Sequence, residues 1–478
     1  PARAPLDEHT HLGGHMSLLE LLATVLAFSA PVAVVSGFIP FVIVSAGAGA
    51  PAVFLCAMLL LLTFAVGFTR MTRFFPRPGG FYAYVTAGLG KEAGLGAAML
   101  AILGYLLLGF CTLPFFAINV DALVRGLFGG PAIPWFVYAG ICGAGSGLLC
   151  YFRIDLSAKV LTAVMAVETL VVVIFDLAVL RSGGPEGISL APLSWTSMAS
   201  GSVGISILFA VTCFLGFEAT AVFRDEVRDP DRTVPRATYL AVLLIGLFYA
   251  FSAWMTVTAF GVSHVGATAK ADPAGMFPVG MELYVGRIAR DALHVLLATS
   301  QFAAVLSAQN ILARYGMSLG IDGVFPRILG RVHPRHQSPY IASTAISLTW
   351  LLLGAVFVLM QIPPDLLYAR VAGVGGFAIL ILMLVTSAAI IAFFHRRDGR
   401  RAAHLGTTLV APVVATIGLG TIVYLATIHF TLLVGGAQEG ATFLVAMTIA
   451  VFVAGAGYAR LLRHSRPATY QSIGRQVV

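Results

Sequence analysis

The stretch "LAFSAPVAVVSGFIPFVI" (residues 26–43) breaks a helix where broken backbone is hardest to solvate. It carries Ser29-Ala30-Pro31, then Ser36-Gly37, then Pro40, inside an apolar run over residues 17–46. Proline removes a helical hydrogen bond and clashes with the preceding turn. Glycine and serine loosen what remains. The surrounding composition identifies the solvent. Of 478 residues, 59% are hydrophobic and 10% charged, with a mean hydropathy of +0.93. A soluble domain is nearer half apolar and a quarter charged, so most of this chain meets lipid.

A spanning helix needs about 20 apolar residues. Twelve such runs are found, at 17–46, 51–75, 93–124, 134–151, 156–181, 202–223, 236–260, 290–320, 339–361, 365–394, 406–432 and 439–462. With the N-terminus placed in the cytoplasm, 23 of the 29 lysines and arginines fall on the cytoplasmic side and 6 on the other. That bias is the positive-inside signature. It predicts an integral protein of the plasma (inner) membrane with both termini cytoplasmic, and its alternation supports the number of spans. It also assigns the net charge of +8 to a membrane surface rather than to nucleic acid. The run "HRRDGRR" (395–401) reads as a cytoplasmic anchor, with lipid regulation as the alternative. The first run is too long for a signal-peptide core and lacks a basic flank, which predicts no cleaved leader. Five cysteines (Cys56, Cys111, Cys142, Cys150, Cys213) lie inside apolar runs without metal-ligand spacing. They read as small buried hydrophobes, with neither a disulfide framework nor a metal site.

A second interrupted span, "GSVGISILFAVTCFLGFEATAVF" (201–223), places Gly216 and Glu218 deep in an apolar run. The interruptions fall in spans one and six, so each opens a five-helix half. An odd number of spans per half inverts the second half. Broken helices at matching positions of inverted repeats are the best sequence pointer to a transporter binding site. Unwound backbone at membrane depth is tolerated where it lines a cavity or is buried in protein. Freed N–H groups suit a carboxylate, and freed carbonyls suit an ammonium or a cation. Ordinary proline kinks and glycine packing are the plainer alternative.

Three further stretches carry a family resemblance. "FFPRPGGFYAYVTAGLG" (74–90) holds a Pro-x-x-Gly-Gly-x-Tyr loop. "FLGFEATAVFRDEVRDPDRTVPRA" (214–237) holds Gly-Phe-Glu, an acidic–basic loop and Val-Pro-Arg-Ala. "SAQNILARYGMSLGIDGVFPRILGRVHPRHQSP" (307–339) holds Asn-x-x-x-Arg, Asp-Gly and His-Pro. In this order the chain resembles the amino acid–polyamine–organocation superfamily of permeases along nearly its whole length. The resemblance implies an all-α membrane fold of twelve helices: two inverted five-helix repeats of the LeuT kind, with helices one and six discontinuous, plus two peripheral helices. The expected division is a cytoplasmic segment 1–16, a first repeat 17–181, a second repeat 202–394, peripheral helices 406–462 and a tail 463–478. It also implies alternating access and an amino acid or amine substrate. Where many members have a Gly-x-Gly break in span one, this chain has Ala-Pro-Val-Ala-Val-Val-Ser-Gly, closer to a subgroup with Ser/Ala-Ala-Pro. Substrate contacts are accordingly expected over Ser29, Ala30, Pro31, Val34, Ser36 and Gly37. From span six they are expected at Thr212, Cys213, Phe214, Gly216, Phe217 and Glu218.

Glu168 lies 12 residues past Leu156 in span five, about 18 Å into the helix and close to mid-membrane. A charge there costs about 2.5–3.5 kcal/mol on insertion scales, so it faces the bundle interior or is protonated. In proton-coupled relatives a lysine takes the matching place, where sodium sits in sodium-coupled ones. Glu168 therefore reads as a coupling residue for a proton or sodium ion, with a structural salt bridge as the alternative. Ser307 is its expected neighbour by analogy. Lys159, about 13 Å away along the axis, is a poor partner and snorkels instead. Asp176 is expected near the outer interface, with an outer-gate role as an option. Glu218 reads first as a partner of the unwound backbone and second as a substrate contact. The mixed loop "RDEVRDPDRTVPRA" reads first as a solvated salt-bridge cluster. The sharper alternative is an inner gate, with Arg224, Asp225 and Glu226 opposite Arg314 and Asp322. "VAGVGGF" (371–377) reads equally as a flexing outer gate or as close helix packing.

The resulting expectation is a secondary transporter, proton-coupled or exchanging, that is a monomer or a homodimer in the bilayer. It is not an enzyme and uses no cofactor. No G-x-x-x-x-G-K-[ST] loop and no H-E-x-x-H occurs, and His294 and His429 stand alone. A receptor or channel on the same fold is the remote alternative. Ala30, Val34 and Cys213 narrowly favour a neutral amino acid. The intramembrane carboxylates support a cationic amino acid or polyamine as the second choice.

Overall fold

The computed structural model describes residues 16–74, 80–152, 158–222, 224, 227–336, 338–396, 405–434 and 438–474. Arg77, Arg153, Asp225, Glu226 and residues 397–401 of the basic run lie outside them, as does the side chain of Lys159. The described chain is helical. In order come α1 (Leu18–Phe28), α2 (Pro31–Gly37), α3 (Ile39–Ala46), α4 (Ala50–Phe74), α5 (Gly80–Leu89), α6 (Lys91–Phe128), α7 (Trp135–Phe152) and α8 (Ala158–Ser182). Then follow α9 (Trp195–Ala199), α10 (Val203–Thr212), α11 (Ala219–Val222), α12 (Pro230–Phe260), α13 (Val265–Ala271), α14 (Met276–Tyr284) and α15 (Arg287–Ile321). The chain closes with α16 (Tyr340–Leu359), α17 (Pro364–Arg396), α18 (Ala411–Ile428), α19 (Phe430–Val434), α20 (Gln438–Ser465) and α21 (Pro467–Ser472).

Ten helices among the described residues are long and apolar enough to cross a membrane. The difference from the twelve expected runs has a physical cause. The second half of the first run continues into the second, so Pro31–Thr72 reads as one apolar stretch. The sixth run is broken, and its longest intact piece is the ten-residue α10. We call the face on which α1 begins the near face and the opposite one the far face.

Local chemistry explains the start and end of α1. The Ser17 side chain accepts from the Glu20 N–H, and the Glu20 carboxylate accepts from the Ser17 N–H at 2.7 Å, a reciprocal cap. The helix stops at Ser29 because Ala30 turns left-handed (φ 41°) and Pro31 opens the next helix. For a non-glycine residue that conformation costs about 1–2 kcal/mol, so the break is held by its surroundings. Farther on, the backbone stays bonded: Phe38 N–H donates to Val34 O at 2.8 Å and Val42 N–H to Phe38 O at 3.1 Å. Ser36-Gly37 and Pro40 therefore kink the span, and only Ser29-Ala30-Pro31 breaks it.

The second break begins after α10, where residues 213–218 form turns and Gly216 takes φ 111°. The far ends of the two broken spans are joined, with Ser202 N–H donating to Ser45 O at 2.8 Å. Around them α4 packs on α12, α10 and α18, while α6 packs on α17, α15 and α20. Two glycines of "VAGVGGF" sit in such contacts. A Cβ on Gly375 would lie 2.9 Å from Leu108 Cγ, and one on Gly376 2.5 Å from Thr212 Oγ1. The close-packing reading of that stretch thus has direct support. On the near side, a Cβ on Gly88 of α5 would lie 2.0 Å from the Ala389 carbonyl oxygen of α17. Backbone cannot yield as a flexible side chain does. Gly88→Ala is expected to destabilise the protein by about 1–3 kcal/mol, read as a lower thermal unfolding midpoint. An unchanged midpoint would show that α5 is not packed this closely.

Candidate functional site

Both breaks are capped by carboxylates. Glu168, on α8, is buried at 3% exposure, and its Oε2 accepts from the Val32 N–H in the first turn of α2 at 3.4 Å. The serine facing this carboxylate is Ser300 of α15, 1% exposed, whose hydroxyl makes no hydrogen bond within the described residues. Ser307, the expected neighbour, lies two turns farther along the same helix and is half-buried. The Tyr249 hydroxyl of α12 donates to the Ser29 carbonyl at 2.9 Å, so the freed C-terminal end of α1 is also occupied. At the second break, Glu218 Oε2 accepts from the Gly216 N–H at 2.9 Å, and Oε1 accepts from the Tyr105 hydroxyl of α6 at 2.5 Å. The first reading of Glu218, as a partner of unwound backbone, matches this geometry.

The remaining candidates divide by what their polar atoms do. Ser29, Thr212 and Cys213 donate back to carbonyls of their own helices: Leu26, Leu208 and Phe209. The Ser36 hydroxyl is fully buried without a partner among the described residues. Pro31, Val34, Gly37, Phe214, Gly216 and Phe217 bring apolar surface or bare backbone; Ala30 is half-buried in the break itself. A Cβ on Gly37 would lie 2.6 Å from both the Tyr368 hydroxyl and Phe115 Cε1.

Aromatic clusters close the region on both sides. Toward the far face, Tyr368 stacks on Phe115 at 4.6 Å and meets Phe38 at 6.0 Å and Phe41 at 5.3 Å. Phe41 also stacks on Phe209 at 5.5 Å. Toward the near face, Phe217 meets Phe64 and Phe68 at 6.2 Å, and Phe68 packs on Phe81 at 5.8 Å and on Tyr84 at 5.1 Å. Between these clusters lie the two breaks and their carboxylates. The two carboxylates at the breaks, Glu168 and Glu218, are buried and form no ion pair among the described residues, so this region is acidic with no arginine or lysine paired to them there.

Asp176 lies six residues before the end of α8, toward the far face, and is enclosed by protein. It is 1% exposed at the contact of α8 with α12, accepts from the Ser252 hydroxyl at 2.7 Å, and leaves its other oxygen without a partner among the described residues. In the charged loop the observed pairs fit the first reading, a salt-bridge cluster, and differ from the inner-gate pairing. Arg224 pairs with Asp231 of α12 at 2.9 Å, while Arg314 is exposed. Asp322 faces the Tyr82 hydroxyl of α5 at 3.5 Å, and burial pushes its carboxyl up to about 6. The loop after α11 is tied instead to the residues just before α1, with Arg228 N–H donating to Met16 O at 3.3 Å. Asp225 and Glu226 lie outside the described residues.

Sequence reasoning missed Tyr105, Tyr249 and Ser300. The only trace of each is a lone hydroxyl in an apolar run, a weak signal because buried tyrosines and serines also satisfy themselves locally.

The profile of a family described as amino acid permease matches residues 19–454. The chain is similar to the low-affinity putrescine importer PlaP of Escherichia coli (strain K12), at 23% identity over 358 residues, covering 73% of this chain and 74% of that protein. It is similar to the branched-chain amino acid permease BcaP of Bacillus subtilis (strain 168), at 26% over 368 residues, covering 72% and 73%. A shorter match to a cadaverine/lysine antiporter of Escherichia coli (strain K12) is 29% identical over 127 residues, covering 27% and 28%.

Proposed function

The chain belongs to the amino acid permease family, and from that premise we propose that it is a secondary transporter carrying an amino acid or amine by alternating access. In this reading it has twelve spans. Two inverted five-helix repeats of the LeuT kind cover 17–181 and 202–394, and two peripheral helices cover 406–462. The near face is cytoplasmic and carries both termini, which the basic bias supports. The single observation behind the reading is the pair of buried breaks, each with a backbone amide held by a carboxylate. Irregular backbone at this depth is tolerated in a cavity lining or a protein interior, and a matched pair points to the transport site.

The substrate lies between the Ser29–Pro31 break and the Cys213–Glu218 break, with Val34, Ser36 and Phe214 beside it. Glu168 and Ser300 form the coupling site. The carboxylate takes up a proton, or holds a sodium ion, in exchange for its bond to the Val32 amide. The central chemistry reverses the narrow preference drawn from sequence. Both observed amides already carry carboxylates of the protein, and neither carboxylate has a basic partner among the described residues, so an amine is better matched than a second carboxylate. Relatives named for putrescine and for cadaverine/lysine support a cationic amine or diamine as first choice. The apolar Val34 and Phe214 and the branched-chain relative favour a neutral amino acid as the second.

Uptake into proteoliposomes tests this, with putrescine, cadaverine, lysine and leucine offered separately under pH or sodium gradients. Saturable accumulation of a diamine or lysine is expected. Accumulation of leucine alone selects the second reading, and no gradient-dependent uptake across a wider amine and amino acid panel overturns transport.

A further inference from the structure

The end of the described chain folds back across the near face. α21 and the two residues after it lie against α5, α6 and the end of α15. Lys91 Nζ donates to the Gln471 carbonyl at 2.8 Å. The Tyr470 hydroxyl donates to Glu92 Oε1 at 2.8 Å, and Ser472 Oγ donates to the Asp322 carbonyl at 2.8 Å. The Gly474 N–H donates to the Tyr82 hydroxyl at 2.7 Å, and that hydroxyl in turn faces Asp322 Oδ2 at 3.5 Å. Ile473 is 1% exposed, in a cluster with Tyr82, Leu95, Leu319, Val324 and Leu462.

We propose that residues 466–474 are a strap that brakes opening of the near face. The strap ties α5 and α6, from the first half of the chain, to the end of α15, from the second. Tyr82 is the hub, because one hydroxyl joins the strap to α5 and to the α15 end. Two features make the strap releasable. It begins at Arg466, after α20 has ended at Ser465, and Pro467 opens its helix, so it is a separate short element. Its contacts with Lys91, Glu92 and the Asp322 carbonyl lie at or near the surface, where each bond is worth little net because both partners can return to water, while the Gly474–Tyr82 bond is buried beside Ile473. Its buried apolar anchor is Ile473. The halves joined here are those that alternating access must separate, so the proposal rests on the transport reading for the need to open.

The test uses a thiol the protein already has, and it needs no substrate. Cys213 sits in the second break at 2% exposure and becomes reachable only when the site opens. Its alkylation rate is read by peptide mass spectrometry, with buried Cys142 of α7 as an internal control. A chain ending at Ser465 and full-length Tyr82→Phe are compared with wild type. Tyr82→Phe is expected to label Cys213 about fivefold faster, the change set by losing one or two hydrogen bonds, and the truncated chain, which loses four hydrogen bonds and the Ile473 anchor, faster still, with Cys142 unchanged. Should the truncated chain misfold, Tyr82→Phe decides alone. Labelling at the wild-type rate overturns the strap, and so does a parallel rise at Cys142, which signals general loosening. A wild-type protein that carries no amine or amino acid fails the transport reading and leaves the labelling comparison intact.

Discussion

Glu168→Gln is expected to abolish gradient-driven accumulation while leaving exchange of the solute down its own gradient. Glutamine has nearly the shape of glutamate, and its carbonyl oxygen still accepts from the Val32 N–H. What it cannot do is gain a proton or hold a charge. With the membrane potential held at zero, so that a cationic solute is not drawn in by its own charge, an ion gradient equivalent to about 100 mV supplies about 2.3 kcal/mol per ion moved, which corresponds to about fiftyfold accumulation at 1.4 kcal/mol per factor of ten. In Glu168→Gln proteoliposomes the ratio is expected to fall to about one, with counterflow of labelled solute retained. Accumulation at the wild-type level would show that the carboxylate holds α2 in place and takes no part in coupling.

The second large effect concerns Glu218. Its removal as Glu218→Ala leaves the Gly216 N–H and the Tyr105 hydroxyl buried without acceptors. Each orphan costs about 1–3 kcal/mol, so a loss of several kcal/mol is expected, with a lower unfolding midpoint and no uptake. Glu218→Gln keeps one acceptor oxygen for one of the two donors, and Tyr105→Phe removes one donor, so each alone is expected to cost less. The cycle combining Tyr105→Phe with Glu218→Gln isolates their interaction, for which about 0.5–3 kcal/mol is the usual range for residues in contact. A Glu218→Ala protein as stable and active as wild type would show that the break is held by something other than this carboxylate.

The sequence made the breaks legible for a simple reason. Proline and glycine act on backbone directly, and Pro31 and Gly216 needed no partner to be read. The register of the first break was harder. Pro40 looked as disruptive as Pro31, yet it sits at the second position of α3, where its missing N–H has no helical bond to lose. Burial was legible too, since a carboxylate so far inside an apolar span has to face the bundle, and Glu168 is buried there. Its partners were not. Val32 is 136 residues away in sequence, and no local rule specifies such a contact. Ser300 and Ser307 lie on one helix face two turns apart, so periodicity could not choose between them.

In the charged loop the first reading, a local salt-bridge cluster, agrees with the pairs observed, and the sharper one does not. Opposite charges at Arg224 and Asp322 suggested a pair, but Arg224 finds Asp231 only seven residues away. Asp322 instead meets a tyrosine hydroxyl, for which charge patterning gives no signal.

The most direct measurement is an experimental structure of the protein bound to whichever solute it accumulates. The solute's amine should lie between residues 29–31 and 213–218, within hydrogen-bonding distance of freed backbone carbonyls or of the Glu168 carboxylate. Solute density elsewhere in the bundle, with both breaks still packed against their carboxylates, would contradict the proposal that these two interruptions form the transport site.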